Sequence, residues 1–357
     1  MQSLSKPPNN RNVFNRLLGL ALIGLLYSLF TAHNQFQQGV NFYEQGNYSA
    51  AVSAFQEVTE QDADNAEAYY YLGMAFSQKK EFDRAIAAYQ KAIAFASTTT
   101  KLDSIYYDLA TALWKTNKSD EAIAMYRKAI EINPNHMGSY TDLASILYER
   151  DDLNGAITAA EKAIQLNPNN SSALITLGAA LSDQGHQDGA SVKLKQAIAL
   201  APGAAEAHNN LGIVLIRQKK VEAAIKELKQ AIALDPKFAT PYSNLGLALS
   251  AQGKQTNALA EIKRAIDLDP KSAKAHAALG TVLIAQNKVS AAIPELKRAI
   301  ALKYHEAGAH YLLGLALYDQ GDRQAGMTSL KRAKDLFKAQ DRMIMLRQVE
   351  QVLQEVQ

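Results

Sequence analysis

LGIVLIRQKKVEAAIKELKQAIALDP, Leu211–Pro236, is the stretch on which the fold turns, because the chain writes it again on either side. LGAALSDQGHQDGASVKLKQAIALAP occupies Leu177–Pro202 and LGLALSAQGKQTNALAEIKRAIDLDP occupies Leu245–Pro270, each start 34 residues from the last. Internal periodicity of this length marks a repeat array. One column runs Gly178, Gly212, Gly246, Gly280 and Gly314, and back through Ala144 and Ala110. Across a three-residue insertion at Thr98–Thr100 it continues to Gly73 and Gly39. A second column holds Ala85, Ala122, Ala156, Ala190, Ala224, Ala258 and Ala292; a third runs from Ala92 through Ala197 and Ala231 to Ala333. The first column counts nine copies, from about His33 to Phe337.

One copy reads as two helices. His208, Leu211, Gly212 and Leu215 recur at i, i+3, i+4, i+7, the apolar stripe of a helix. Lys219 then stands where other copies carry Gly46, Gly185, Gly253, Gly321, Asn117 or Asn287. Glycine and asparagine are the residues that tolerate the left-handed conformation closing a helix. A second stripe follows, Ala224, Ile225, Leu228 and Ala231, and Asp235-Pro236 stops it, since a residue before proline is pushed out of the helical region. A hairpin this small cannot bury its own apolar face, and stacking on neighbours completes it.

These columns resemble the tetratricopeptide repeat family: an aromatic or Leu, a Leu-Gly pair, a bulky residue, two small alanines and a terminal proline, in register nine times. The copies depart from the pattern at the ends, with Gln38, Gly326 and Tyr304 at signature positions. The resemblance implies an all-α, right-handed superhelical solenoid of about nine helical hairpins over residues 33–338. Beyond it, Leu346, Val349, Leu353 and Val356 at 3-4-3 spacing predict a capping helix within 339–357, or a short self-associating one.

Composition narrows the chemistry. There is no cysteine, so disulfides, thiolate metal sites and thiol nucleophiles are excluded together. The net charge of +3 is accounted for by Lys6, Arg11 and Arg16, in a basic tail over residues 1–12 and the segment that follows. The body is neutral and carries no footprint for a phosphate backbone, so no nucleic-acid partner is expected. HEAGAH, His305–His310, spaces its histidines five apart rather than the four a helical zinc pair needs. His208, His276 and His310 share the column of Tyr69, Tyr106, Tyr140 and Tyr242, a repeat or more apart, and read as packed, hydrogen-bonded imidazoles rather than metal ligands. With no nucleophile elbow, phosphate loop or paired-carboxylate motif, no enzyme, cofactor or metal is expected.

By resemblance to the family, positions beside the packing face of each first helix line a concave groove. Tyr70, Tyr107, Ile175 and Tyr311 form one set; Trp114, Tyr148, Ile216, Ile284 and Tyr318 form another, with Ile213 beside them. They serve either as packing between repeats or as apolar contacts for an extended peptide or partner helix, where aromatic area is gained at low entropic cost. A further column, Asp108, Asp142, Thr176, Asn210 and Asn244, is similar to the asparagine ladder of the repeat domain in O-linked N-acetylglucosamine transferases, where carboxamides grip a peptide backbone. Its acids favour a partner with Lys or Arg and binding that weakens with salt. The family's carboxylate clamp needs Lys and Asn on one first helix, and pairs such as Tyr107/Thr111 and Asn209/Ile213 do not supply it.

Ahead of the repeats, Val13–Ala32 is apolar, and as a helix spans about 30 Å, the thickness of a bilayer core. Arg16 lies near its end, and no polar stripe marks an interfacial helix. A signal peptidase site after Ala32 would place Phe30 two positions before it, a poor fit. The reading is an uncleaved anchor over residues 13–32, with a cleaved signal or a core helix as alternatives. Basic residues precede it and the first later charge is Glu44, so the N-terminus is expected in the cytoplasm and the repeats on the opposite side. One small-xxx-small pair, Gly24 and Ser28, gives no basis for self-association. The chain reads as a membrane-anchored protein-interaction scaffold or assembly factor. Alternatives are an envelope chaperone, a secretion or pilus-assembly accessory, and a non-catalytic glycosyltransferase subunit.

Overall fold

The computed structural model describes residues 31, 33–96, 101–303, 306–340 and 342–355, and among these there are helices and turns but no strand. The chain divides into two compact units, the first ending at Ser139 and the second starting at Tyr140. The first holds α1 (33–44), α2 (Tyr48–Gln61), α3 (Ala66–Gln78), α4 (Phe82–Ala94), α5 (Leu102–Lys115) and α6 (Ser119–Ile132). The division falls within α7 (Met137–Glu149), most of which belongs to the second. It continues with α8 (Leu153–Leu166), α9 (Ser171–Gln184), α10 (Gln187–Leu200), α11 (Ala205–Arg217) and α12 (Val221–Leu234). Then come α13 (Ala239–Ala251), α14 (Gln255–Leu268), α15 (Ala273–Ala285) and α16 (Val289–Leu302). α17 (Ala307–Asp319), α18 (Arg323–Ala339) and α19 (Met343–Glu355) complete it.

Each hairpin is built alike, for reasons the repeat columns explain. Gly212 of α11 faces Leu228 of α12, and a Cβ on Gly212 would sit 2.6 Å from the Leu228 Cγ. The same collision, sixteen residues on, would meet Tyr89 from Gly73 and Leu194 from Gly178. Leu228 and Leu194 are fully buried, so the glycine is what lets the helices cross closely. In the copy with Ala144 at this position, the residue sixteen on is the small Ala160, and both are buried.

The turn inside each hairpin repeats too. One residue per copy has positive φ: Gly46, Lys80, Asn117, Asp151, Gly185, Lys219, Gly253, Asn287 and Gly321. The next N–H reaches back to close the helix, as from Lys220 to the Leu215 carbonyl at 2.8 Å and from Asp152 to that of Leu147 at 2.9 Å. These are the six-to-one bonds of a Schellman ending. Second helices end on an extended residue before proline, as at Asp235 with φ −136° and ψ 94°. Several first helices start on a side-chain cap: Asn65 accepts from the Ala68 N–H at 2.9 Å and Asn170 from Ala173 at 3.1 Å.

At the C-terminus, Leu346, Val349 and Leu353 of α19 are buried against Leu330, Ala333, Leu336 and Phe337 of α18. Val356 lies outside the described residues, as do His305 and the apolar segment up to Phe30. Among the described residues no helix is long and apolar enough to cross a membrane.

Candidate functional site

In the first unit the inner positions are tied to one another. Tyr70 of α3 donates its hydroxyl to Asp108 Oδ2 of α5 at 2.9 Å. Burial pushes the Asp108 carboxyl up to about 6, against the Tyr70 hydrogen bond and the nearby His136, which pull it down. Burial, and then Asp108 itself, raises the Tyr70 phenol well above its ordinary range. Tyr107 is half-buried between Tyr126 and His136, ring centroids 5.9 and 5.0 Å away. Trp114 is half-buried, with the Lys115 ammonium 5.8 Å from its ring. Tyr70 and Tyr107 are therefore half-buried, each with part of its surface spent on neighbours inside the unit. Two rings that the repeat columns did not flag, Phe36 and Tyr71, extend this aromatic layer at 5.4 Å from each other.

In the second unit the inner helix faces line a half-open chamber of about 550 Å³. Its wall takes residues from α7, α9, α11, α13, α15 and α17 in turn, and from Gln340 and Arg342 in the α18–α19 connection. Tyr148, Asn210, Ile213, Ile216 and Asn244 all line it. Other predicted residues of this unit lie elsewhere. Ile175 is buried, 7 % exposed, among Leu174, Ala197 and Ala207, where the next hairpin covers it. Tyr311 packs against the core that α18 and α19 share. Tyr318 lines a smaller hollow with Ile284 and Leu315. Asp142 is half-buried on α7 and does not line the chamber.

The carboxamides of the chamber wall form a directed relay. Asn244 Nδ2 donates to Asn209 Oδ1 at 2.8 Å, and Asn209 Nδ2 donates to Asn210 Oδ1 at 3.1 Å. Asn209 is 3 % exposed and makes no appearance on the wall; it sets the orientation of the two that do. The relay leaves an amide donor on Asn210 and an acceptor oxygen on Asn244. A peptide unit carries the complementary pair, one C=O and one N–H. Repeat spacing pointed to Asn210 and Asn244 but not to Asn209, whose role depends on contact between adjacent hairpins.

One rim of the chamber is ionic. Asp183 accepts from the Tyr148 hydroxyl at 3.1 Å and pairs with Arg217 at 2.7 Å and with Arg342 at 3.4 Å. Arg217 also donates to the Ser182 carbonyl at 2.6 Å. Burial alone would raise the Asp183 carboxyl, but Arg342 and Arg217 hold it below its ordinary value. Asp151 pairs with Arg342 at 3.2 Å and Lys303 at 3.6 Å, and accepts from Gln340 at 3.3 Å.

The histidine column is accounted for by packing. His208 contacts Glu227 Oε2 at 2.6 Å and the Pro202 carbonyl at 3.2 Å; His276 contacts Glu295 at 2.7 Å and the Pro270 carbonyl at 3.4 Å. Tyr242, in the same column, donates to the Pro236 carbonyl at 3.1 Å. The ring at this position ties the first helix to the turn before it.

Residues 101–315 match the family profile described as the cilia and flagella-associated protein 70 C-terminal domain, and residues 36–98 match a tetratricopeptide repeat profile. A tetratricopeptide repeat protein from Parabacteroides merdae superposes with a TM-score of 0.60 at 17 % identity, covering 71 % of this chain and 98 % of that one. The C-terminal part of a repeat protein from Cytophaga hutchinsonii gives 0.50 at 18 % identity, over 68 % and 99 %. YrrB, described as a repeat protein with an unusual peptide-binding site, gives 0.46 at 24 % identity, over 57 % and 100 %. The comparison with curated proteins returns no match.

Proposed function

The chain belongs to the tetratricopeptide repeat family, and from that premise we propose that it is a protein-interaction scaffold that grips an extended peptide in the chamber of its second unit. The observation that carries this is the carboxamide relay, which leaves one donor on α11 and one acceptor on α13, both on the wall. Such a pair recognises backbone rather than side chain, so the site reads extended conformation more than sequence. Apolar Ile213, Ile216 and Leu247 line the same chamber and suit small or aliphatic side chains. The volume lies inside the roughly 300–1,000 Å³ of small-ligand sites, which fits a short stretch of chain and not a folded domain.

A peptide array probed with the full chain tests this. Bound peptides are expected to lose about tenfold in affinity, close to 1.4 kcal/mol, when Asn210 and Asn244 are both changed to Ala. N-methylation of a single backbone amide in the peptide is expected to cost as much. Peptides that bind equally well with methylated backbones would overturn the reading.

The anchor belongs to the same proposal. Val13–Ala32, preceded by Lys6 and Arg11, ties the N-terminus to a membrane with the repeats on the far side from the cytoplasm. In fractionated cells the chain is expected to resist carbonate extraction at full length. Recovery of soluble chain lacking its first 32 residues would replace the anchor with a cleaved signal.

A further inference from the structure

In a repeat array each unit touches its neighbours and stability is a sum of local interfaces. The second unit breaks that rule along one seam, where Lys303 also pairs with Asp151. Arg342 meets Asp151 and Asp183, 191 and 159 residues away in sequence, and Gln340 meets Asp151 across 189. Ile344, at the start of α19, contacts the position a Cβ on Gly185 would take. The chamber wall is thus a circuit: α7, α9, α11, α13, α15 and α17 in succession, then the α18–α19 connection, which ion-pairs back to the ends of α7 and α9.

The closing contact differs in kind from every other joint in that circuit. Neighbouring hairpins meet through fully buried apolar residues such as Leu194, Leu228, Ile262 and Leu296. The seam is made of charges, with side-chain exposures of 23 % for Arg342, 20 % for Asp151 and 13 % for Asp183, plus Ile344, itself 52 % exposed. Arg342 Nε is buried there without a hydrogen bond to any of the described residues. These charges are largely covered, so the attraction within each pair is set against the cost of taking both groups out of water, and an unsatisfied buried donor adds to that cost. Parting the seam disrupts no hairpin–hairpin core. It is a joint built without fully buried apolar residues.

We propose that the Arg342–Asp151/Asp183 seam is a gate: the second unit exchanges between a closed circuit and an open array, and extended polypeptide enters the Asn210–Asn244 chamber in the open form. This rests on the chamber being the peptide site, and the two claims part in the test below.

The chain has no cysteine, so one placed on the wall reports alone. Ala277→Cys, on α15, lines the chamber. In the full chain its labelling by fluorescein maleimide is expected to speed up about tenfold with Arg342→Ala, the ratio set by ion pairs whose attraction is largely offset by the cost of taking them out of water. Raising salt to about 1 M on the intact seam should speed labelling in the same direction but by less, since screening acts weakly on covered charges. A Gly185→Cys/Ile344→Cys disulfide in the same background should slow labelling of the thiol introduced on α15, followed by peptide mass mapping, and reduction should restore it. Lys219 and Asn287 hold the equivalent position at φ 60° and Gly185 at 98°, so a cysteine there requires the turn to move toward its neighbours' conformation. Should Arg342→Ala reduce helicity, the salt series and the disulfide still decide. Labelling unchanged by salt and by the disulfide overturns the gate. Labelling that follows the gate while array peptides bind equally with the disulfide closed upholds the gate and removes the chamber as their site.

Discussion

Asp108 is the residue whose environment departs furthest from its place in the repeat pattern. Spacing puts it in a polar inner column with Asn210 and Asn244; the structure puts its carboxylate under Tyr70, with Tyr43 and Tyr89 near enough to feel its charge. The unfolded chain ionises this carboxyl near 3.8 and the folded chain near 6, so between those values the folded form holds the extra proton. Stability at this site therefore falls as pH rises from about 4 to 6, opposite to an ion-paired acid. The gap between those two values sets an upper bound of about 3 kcal/mol, and partial exposure lowers that to roughly 1–2. Asp108→Asn keeps an acceptor for Tyr70 and is expected to flatten that slope relative to the parent and to stabilise the unit at pH 7. Urea titrations at pH 4.5 and 7 check this by fluorescence of Trp114, the single tryptophan, on the same helix. Equal pH slopes in parent and variant would show that the carboxyl is not held up. None of this was legible in the sequence, because the tie between Tyr70 and Asp108 crosses from one hairpin to the next.

At the scale of the element, the sequence was a close guide. Apolar stripes placed the helices, and the Gly column placed their crossings, because both depend on contacts within one hairpin. Gly212→Ala tests the crossing. The added methyl would meet Leu228, which is fully buried and cannot give way. Overpacking of this kind costs about 1–3 kcal/mol, against a gain in helix propensity of up to about 1. A net loss of about 1–2 kcal/mol in urea unfolding followed by far-UV circular dichroism is expected. Gly203→Ala, where nothing lies within 4 Å, should stay within about 0.5 kcal/mol and serves as the control. Equal stability of the two variants would refute close crossing as the reason for the column. The left-handed turn residues were less legible. Lys80 and Asp151 take positive φ with neither glycine nor asparagine to announce it, because the two backbone bonds of the Schellman ending hold the turn whatever side chain stands there.

At the scale of the molecule, the two units use similar inner positions differently. The first fills its inner face with its own aromatic rings, and Tyr107 and Tyr126 pack on each other. The second keeps its inner face open as a chamber and closes it with charge. The sequence by itself determined the hairpins, their number and their order, since each rests on residues sixteen or 34 positions apart that a periodic pattern displays directly. Of the inner positions the repeat columns offered, Tyr148, Asn210, Ile213, Ile216 and Asn244 line the chamber, while Ile175 and Tyr311 pack into cores. Only the tertiary structure decided that Ile175 is buried, that Asn209 orients Asn210 and Asn244, and that Arg342 returns to Asp151 and Asp183. The physical reason is accumulation. Small rotations between successive hairpins, each too slight to leave a mark in the repeat, add up along the array until residues some 190 positions apart stand within hydrogen-bonding distance.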